Sequence, residues 1–303
     1  MTINIHIGNF KSGSTFLQKK IFPKLKNIQY LSYYNNQKIF KEIGYVQTVG
    51  NLFFDKKKIS QLKKLNYKKK DILISSEIFS GSLNTQTIGT GILIEIIAKR
   101  IKEIFKNPKI ILILRNQKNS IISSYKDDIA FGHTASFDDW FKERQKINAL
   151  NYFNYSKTIK FYQRIFGANN LNVFFYENLF TKKGLLDFAD RMKFHLDEKD
   201  INLDLKENRS YSDLTILLSR LFNKIFQTKL TFGAGNGYYK KLFFYNLWRY
   251  KISTVFNYLD IINFDYTKNR SFLKSLKSFH KDNIKLKKLL NKNLPKEYNF
   301  DGL

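Results

Sequence analysis

The chain has 303 residues, no cysteine, and 53 lysines and arginines against 25 acidic residues, for a formal net charge of +28. The absence of cysteine excludes disulfides, thiolate metal sites and cysteine nucleophiles. With four histidines, none paired at ligand spacing, no metal is expected. No run of about eighteen uncharged apolar residues occurs, so no membrane-crossing helix is expected. The positive surplus suits an anionic partner or reflects a composition rich in Lys, Asn, Ile, Phe and Tyr.

In chain order, strand and helix patterns alternate. An apolar strand run covers residues 3–7, and a helix is predicted over 15–21, ended before Pro23. A short strand follows at 28–34, then a mixed helical stretch over 36–70 in which Lys56 to Lys58 and Lys68 to Lys70 read as solvated faces. A buried strand at 71–77 runs into a polar end, a helix covers 92–105, and an aliphatic strand covers 110–114. Helices are predicted at 137–147 and 151–166, a strand at 171–176, and a helix at 185–194 that packs back on it. This alternation predicts an α/β fold, a three-layer parallel sheet flanked by helices, with ligands at the strand C-termini.

The predicted domains are an α/β core over 1–210 and a basic, aromatic helical extension over 211–303 packed on it. The extension has helical spacing at 214–226, a glycine-rich loop at 233–237, and an apolar stretch at 243–262 interrupted by Arg249, Lys251 and Asp260. That last stretch reads as a core-packing helix, with an interfacial helix touching a membrane peripherally as the alternative. The chain enters strand pattern at once with no leader, so a cytoplasmic location is expected.

Two stretches carry chemistry. The first strand ends at Gly8 and is followed by Lys11-Ser12-Gly13-Ser14-Thr15-Phe16-Leu17 at a helix start. Loop N–H groups and the positive end of a helix there converge on an anion. Gly8, Gly13 and Thr15 fit the phosphate-loop frame, but Ser14 occupies the lysine position and the lysine stands at 11. Such a loop suits a terminal phosphate better than a β/γ-phosphate. In the second stretch, Arg115 closes the 110–114 strand and Ser123 follows eight positions later. A planar arginine fork and a directed hydroxyl make a second phosphate grip.

The first loop resembles the 5′-phosphosulfate loop, K-x-G-[ST]-[ST]-x-L, of sulfotransferases that use 3′-phosphoadenosine 5′-phosphosulfate (PAPS). The second resembles their 3′-phosphate motif: Arg115, Asn116, Ser123 and Tyr125 match, while Gln117 replaces a proline and Asn119 an aspartate, so a differently shaped turn is expected. The resemblance covers roughly residues 3–195. It implies a P-loop-type fold, PAPS as donor, and Ser12, Gly13, Ser14 and Thr15 on the 5′-phosphate. It further implies Lys11 on the bridging oxygen and Arg115 with Ser123 on the 3′-phosphate. Tyr176, in Tyr176-Glu177-Asn178-Leu179, resembles the family's strand-end tyrosine beside the nucleotide; a core aromatic is the alternative.

Glu77 closes an apolar strand and should project into the crevice that holds Lys11 and Arg115, where partial burial would raise its pKa toward that of a useful base. The resemblance places the general base at this strand end, with glutamate as in carbohydrate-sulfating members. His6 reads as a core histidine, His133 as a residue of the acceptor cleft, and Asn208-Arg209-Ser210 as a late nucleotide contact. The expected activity is sulfuryl transfer to a hydroxyl or amine, on a sugar, without metal or nucleic acid. The rivals are a P-loop small-molecule kinase and a non-enzymatic binder of anionic polymer.

Overall fold

Five short aliphatic strands, β1 (Ile3–Gly8), β2 (Gln29–Leu31), β3 (Ile72–Ser75), β4 (Lys109–Leu114) and β5 (Leu171–Phe175), form one parallel sheet in the order β2-β3-β1-β4-β5. The computed structural model describes residues 2–9, 11–32, 35–80, 92–203, 211–226, 247–248, 252–257 and 262–302. The helices are α1 (Ser14–Phe16), α2 (Gln37–Thr48), α3 (Ser60–Lys64), α4 (Ile92–Ile104), α5 (Gln117–Ala130), α6 (Phe137–Lys146), α7 (Tyr155–Phe166), α8 (Tyr176–Leu179), α9 (Lys182–Met192), α10 (Asp213–Phe226), α11 (Ser253–Phe256) and α12 (Arg270–Leu290).

Alternation within the strands builds the three expected layers. Ile3, Ile5 and Ile7 of β1, Ile110 and Leu112 of β4, and Val173 and Phe175 of β5 face one apolar cluster, shared with α2, α4, α7 and α12. Leu73, Ile111, Ile113 and Phe174 face the other, shared with the helix after the first loop and with α9. Both faces are covered, which is why the strands read as continuous apolar runs. The architecture is a three-layer α/β fold around a five-stranded parallel sheet, as expected.

Several boundaries differ from the sequence expectation, for local reasons. The first helix widens from α1 into a π-helical turn, Leu17–Ile21, and Pro23 sits in the first turn of a separate 3-10 segment, Phe22–Lys24, where no N–H is needed. β3 stops at Ser75, so Glu77 opens a one-turn 3-10 helix, Glu77–Ser80, instead of closing a strand. Tyr176 likewise begins α8, and the helix after residue 151 starts only at Tyr155, after the 3-10 turn Ala149–Phe153. Lys56 to Lys58 and Lys68 to Lys70 are exposed, as solvated faces should be.

The C-terminal third enters the same core as the sheet. α12 buries Phe272, Leu276, Phe279 and Leu286, a helical apolar stripe, in the cluster that holds β1 and β4. Full burial of each contributes about 1.5–3 kcal/mol. The 233–237 loop and most of 243–262 lie outside the described residues. Among the described residues no helix is long and apolar enough to cross a membrane.

Candidate active site

Sheet register brings the two motifs together. His6 pairs with Ser75 and Gly8 with Ile113, so residues two positions beyond β3 and two beyond the Ile113 pairing flank the end of β1. Those residues are Glu77 and Arg115. The loop after β1, the 3-10 turn after β3 and the turn after β4 therefore leave three adjacent strands at their C-terminal ends.

The loop is shaped by its own residues. Ser12 Oγ donates to the carbonyl of Asn9 at 2.5 Å, and the Ser12 N–H donates to the same oxygen at 3.1 Å. Gly13 sits at φ +78°, and a Cβ there would lie 2.3 Å from Cζ of Phe180. At Gly8 a Cβ would lie 2.0 Å from Ser14 Oγ and 3.2 Å from Glu77 Cγ. Both glycines are thus required by close approach, and at Gly13 by backbone conformation as well. Ser14 is buried, and Lys11, the loop's cation, has a left-handed φ of +60°. Such a backbone costs on the order of 1–3 kcal/mol in a non-glycine residue and persists only where neighbours hold it.

Two long-range contacts hold it. Arg115 NH1 donates to the Lys11 carbonyl at 2.9 Å, and Lys11 Nζ lies 2.9 Å from Asp127 Oδ1 of α5. The Arg115 guanidinium also stacks over Tyr176, 4.7 Å from the ring centroid, and Tyr176 packs on Phe180 at 4.5 Å. Arg115, expected on the 3′-phosphate, thus touches Lys11 directly and reaches Phe180, beside Gly13, through the Tyr176 ring.

The turn bearing Arg115 is built from distant parts of the chain. Asn116 caps α5 by accepting from Asn119 N at 2.9 Å. Glu177 Oε1 accepts from both the backbone N–H (2.9 Å) and the side-chain amide (2.7 Å) of Asn116. Tyr155 donates its hydroxyl to the Arg115 carbonyl at 2.7 Å. Gln117, in the place of the family's proline, is fully buried and exchanges amide hydrogen bonds with Asn283 of α12 at 2.8 and 3.2 Å. Ser123 is buried on α5, one helical turn before Asp127 and on the same face. Tyr125, which matched the motif, turns into an aromatic core with Phe137, Trp140 and Tyr266.

Glu77 is the group the site perturbs. Burial raises its pKa above the ordinary carboxylate value; the positive charge of Lys11 and the hydroxyls of Ser14 and Thr15 pull it back, and the negative charge of Asp127 pushes it up. The Ser14 hydroxyl stands near enough to favour the ionised carboxylate without completing a hydrogen bond of normal geometry. A carboxylate so placed can accept a proton from a bound hydroxyl.

Two other expectations concern histidines. His6 is a core residue: its Nδ1 meets Ser75 Oγ at 2.7 Å, its ring packs edge-on against Phe22, and burial lowers its pKa to about 3. It stays neutral and serves the sheet. His133 lies in the turn after α5, where Nδ1 accepts from Ala135 N at 3.1 Å and the backbone carbonyl accepts from Asn223 of α10 at 3.0 Å. Its backbone N–H donates to the Asp128 carbonyl at 3.0 Å and its Nε2 lies 3.9 Å from Glu143 Oε2. Asn208, Arg209 and Ser210 lie outside the described residues. Sequence reading missed Asp127, Phe180, Glu177 and the Gln117–Asn283 pair. Asp127 alone left a signal, its spacing of one helical turn from Ser123.

The residues fit a nucleotide with anions at two ends. Arg115 Nε and Ser14 Oγ are buried without a hydrogen-bond partner among the described residues, and phosphate oxygens would satisfy both. The Lys11 ammonium, a donor group that can meet phosphate oxygen, is held at the loop by Asp127.

Two sulfotransferases are among the solved structures similar to this chain. One from Alicyclobacillus acidocaldarius is 12% identical, with a TM-score of 0.47, over 77% of this chain and 100% of its own. The mouse sulfotransferase SULT7A1, complexed with PAP, is 15% identical, with a TM-score of 0.45, over 96% of this chain and 89% of its own. No protein-family model matches the chain, and no curated protein matches it in sequence.

Proposed function

We propose that the protein is a sulfotransferase that uses PAPS to sulfate a hydroxyl, or an amine, of a saccharide. The observation that carries this reading is the meeting of Lys11, Glu77 and Arg115 at the ends of three neighbouring strands, with the Arg115 guanidinium hydrogen-bonded to the Lys11 carbonyl. The bound donor supplies an activated sulfuryl group on a 5′-phosphate and a second phosphate at the 3′ position.

Ser12 to Thr15 bind the 5′-phosphate through loop N–H groups and hydroxyls. Arg115 and Ser123 take the 3′-phosphate, which distinguishes this donor from ATP, and Tyr176 borders the adenylate. Glu77 accepts the proton that the acceptor hydroxyl gives up as its oxygen bonds to sulfur. Lys11 stabilises the charge that collects on the 5′-phosphate oxygen as the old S–O bond breaks. The work is positioning and charge stabilisation, as in phosphoryl transfer. The saccharide rests on the glutamate at position 77, which resembles the base of carbohydrate-sulfating enzymes; a peripheral membrane contact and a cytoplasmic location belong to the same proposal.

Titration with 3′,5′-adenosine bisphosphate tests the reading first, followed by assays with PAPS and a panel of saccharides. Lys11→Ala and Glu77→Ala should lower kcat by about 100-fold or more. Arg115→Ala should weaken bisphosphate binding by roughly 10- to 100-fold, the worth of a charge-assisted bond. Magnesium-dependent ATP binding without bisphosphate binding would make the protein a kinase, and retained turnover in Glu77→Ala would remove that residue from the base role.

A further inference from the structure

Three consecutive charged residues near the end of α5 each engage a different part of the molecule. Lys126 Nζ lies 2.7 Å from Asp213 Oδ1 at the start of α10 and donates to the Tyr211 carbonyl at 3.0 Å. Asp128 Oδ2 accepts from Trp140 Nε1 at 2.7 Å and from Arg144 NH2 at 2.9 Å, both on α6. Between them, Asp127 reaches the opposite way, to Lys11.

The side chains of Lys126 and Asp213 are mostly buried, and those of Asp128 and Arg144 almost wholly so. Breaking either clamp would strand a buried charge, so the last turns of α5 are held firmly on both sides. Asp127 is therefore presented to the loop by a rigid frame. An ion pair about a quarter exposed, as this one is, contributes little when both members can swing. Here one member is fixed by the helix, and the other sits on a left-handed backbone whose carbonyl is tied to Arg115.

We propose that Asp127 is a positioning residue for the transfer: it holds the Lys11 ammonium at the mouth of the loop and keeps a negative charge beside Glu77. The inference rests on the function proposed above. The ion pair at 2.9 Å fixes the direction from which the ammonium meets the phosphate oxygen on which charge develops. The charged and hydroxyl groups that face Glu77 are Lys11 from the loop, Ser14 and Thr15 from α1, and Asp127 from α5. Asp127 is the one of these whose charge favours the protonated carboxyl, which keeps Glu77 basic against the pull of Lys11.

The test compares Asp127→Asn, which keeps an acceptor for Lys11 and drops the charge, with Asp127→Ala, which drops both. Both should bind 3′,5′-adenosine bisphosphate about three- to tenfold more tightly in calorimetry, because a carboxylate no longer opposes the phosphates. Both should move the acidic limb of the kcat/KM profile to lower pH, since Glu77 then ionises more readily. Asp127→Ala should lose about tenfold or more in kcat and Asp127→Asn less, because only the former leaves Lys11 unheld. Unchanged affinity and an unmoved acidic limb would reduce the contact to a surface ion pair, and weaker nucleotide binding would overturn the proposal by its sign. A wild-type protein that fails to bind the bisphosphate would instead sink the proposed function, whatever the variants do.

Discussion

The loop after β1 and the turn after β4 present comparable anion-binding groups, yet they are made in opposite ways. The loop occupies ten consecutive residues, Gly8 to Leu17, and two glycines and a serine hydrogen-bonded three residues back give it its shape. The turn depends on Tyr155, Glu177 and Asn283, which lie 40, 61 and 166 residues from the groups they hold. One grip is local and the other is assembled. On the proposed function, adenosine 5′-phosphate should report on the first alone, and the extra affinity of the 3′,5′-bisphosphate on the second.

The largest effect is expected in the loop. Gly8→Ala places a methyl 2.0 Å from Ser14 Oγ and 3.2 Å from Glu77 Cγ, so the loop and Glu77 cannot both stay in place. Overpacking of this kind costs about 1–3 kcal/mol in stability. Displacement of reacting groups by even about 1 Å costs roughly 100-fold in turnover. Both nucleotides should bind at least about tenfold more weakly. Unaltered binding of adenosine 5′-phosphate would mean that the loop does not carry the 5′ grip.

A smaller and more selective effect is expected where the turn meets α12. Asn283→Leu leaves the buried Gln117 Oε1 and the Tyr298 carbonyl without the donor they share, while Gln117 Nε2 retains its long 3.4 Å bond to the Phe153 carbonyl. An unsatisfied buried polar group costs about 1–3 kcal/mol, which should appear as a lowered Tm. The bisphosphate should lose several-fold in affinity while adenosine 5′-phosphate holds its own. Equal losses for both ligands would show that the two grips are one unit.

The same contrast explains what the sequence disclosed. The loop was legible because its determinants are neighbours: a glycine, a cation and small hydroxyl residues between a strand and a helix. The strands were legible because both faces are buried, and His6 read as a core residue for the same reason. Gln117 was expected to reshape the turn, but nothing nearby pointed to Asn283, which only the packing of α12 brings into contact. Asp127 was overlooked for a different reason. Its helical spacing from Ser123 was visible, but whether its face of α5 meets Lys11 or solvent depends on the clamps made by Lys126 and Asp128. Glu77 was read as closing its strand, whereas β3 ends at Ser75 and Glu77 opens the 3-10 turn that follows, because periodicity does not mark where an apolar run leaves the sheet.

Tyr155→Phe should give the smallest effect and the finest resolution of the two grips. The ring is buried, and burial drives the phenol's pKa far upward, so the hydroxyl remains a donor at every working pH. Phenylalanine keeps the packing and removes one hydrogen bond to the Arg115 carbonyl, for about 0.5–1.5 kcal/mol of stability. The carbonyl then keeps only the long 3.4 Å contact from Ser120 Oγ. The guanidinium itself stays fixed by the Lys11 carbonyl and the Tyr176 ring, so little of that loss should reach the nucleotide. Bisphosphate affinity should fall by no more than about threefold, with adenosine 5′-phosphate binding unchanged, since less than 1 kcal/mol is then at stake. A matching fall for adenosine 5′-phosphate would mean that the Arg115–Lys11 hydrogen bond carries the disturbance from the assembled turn into the local loop.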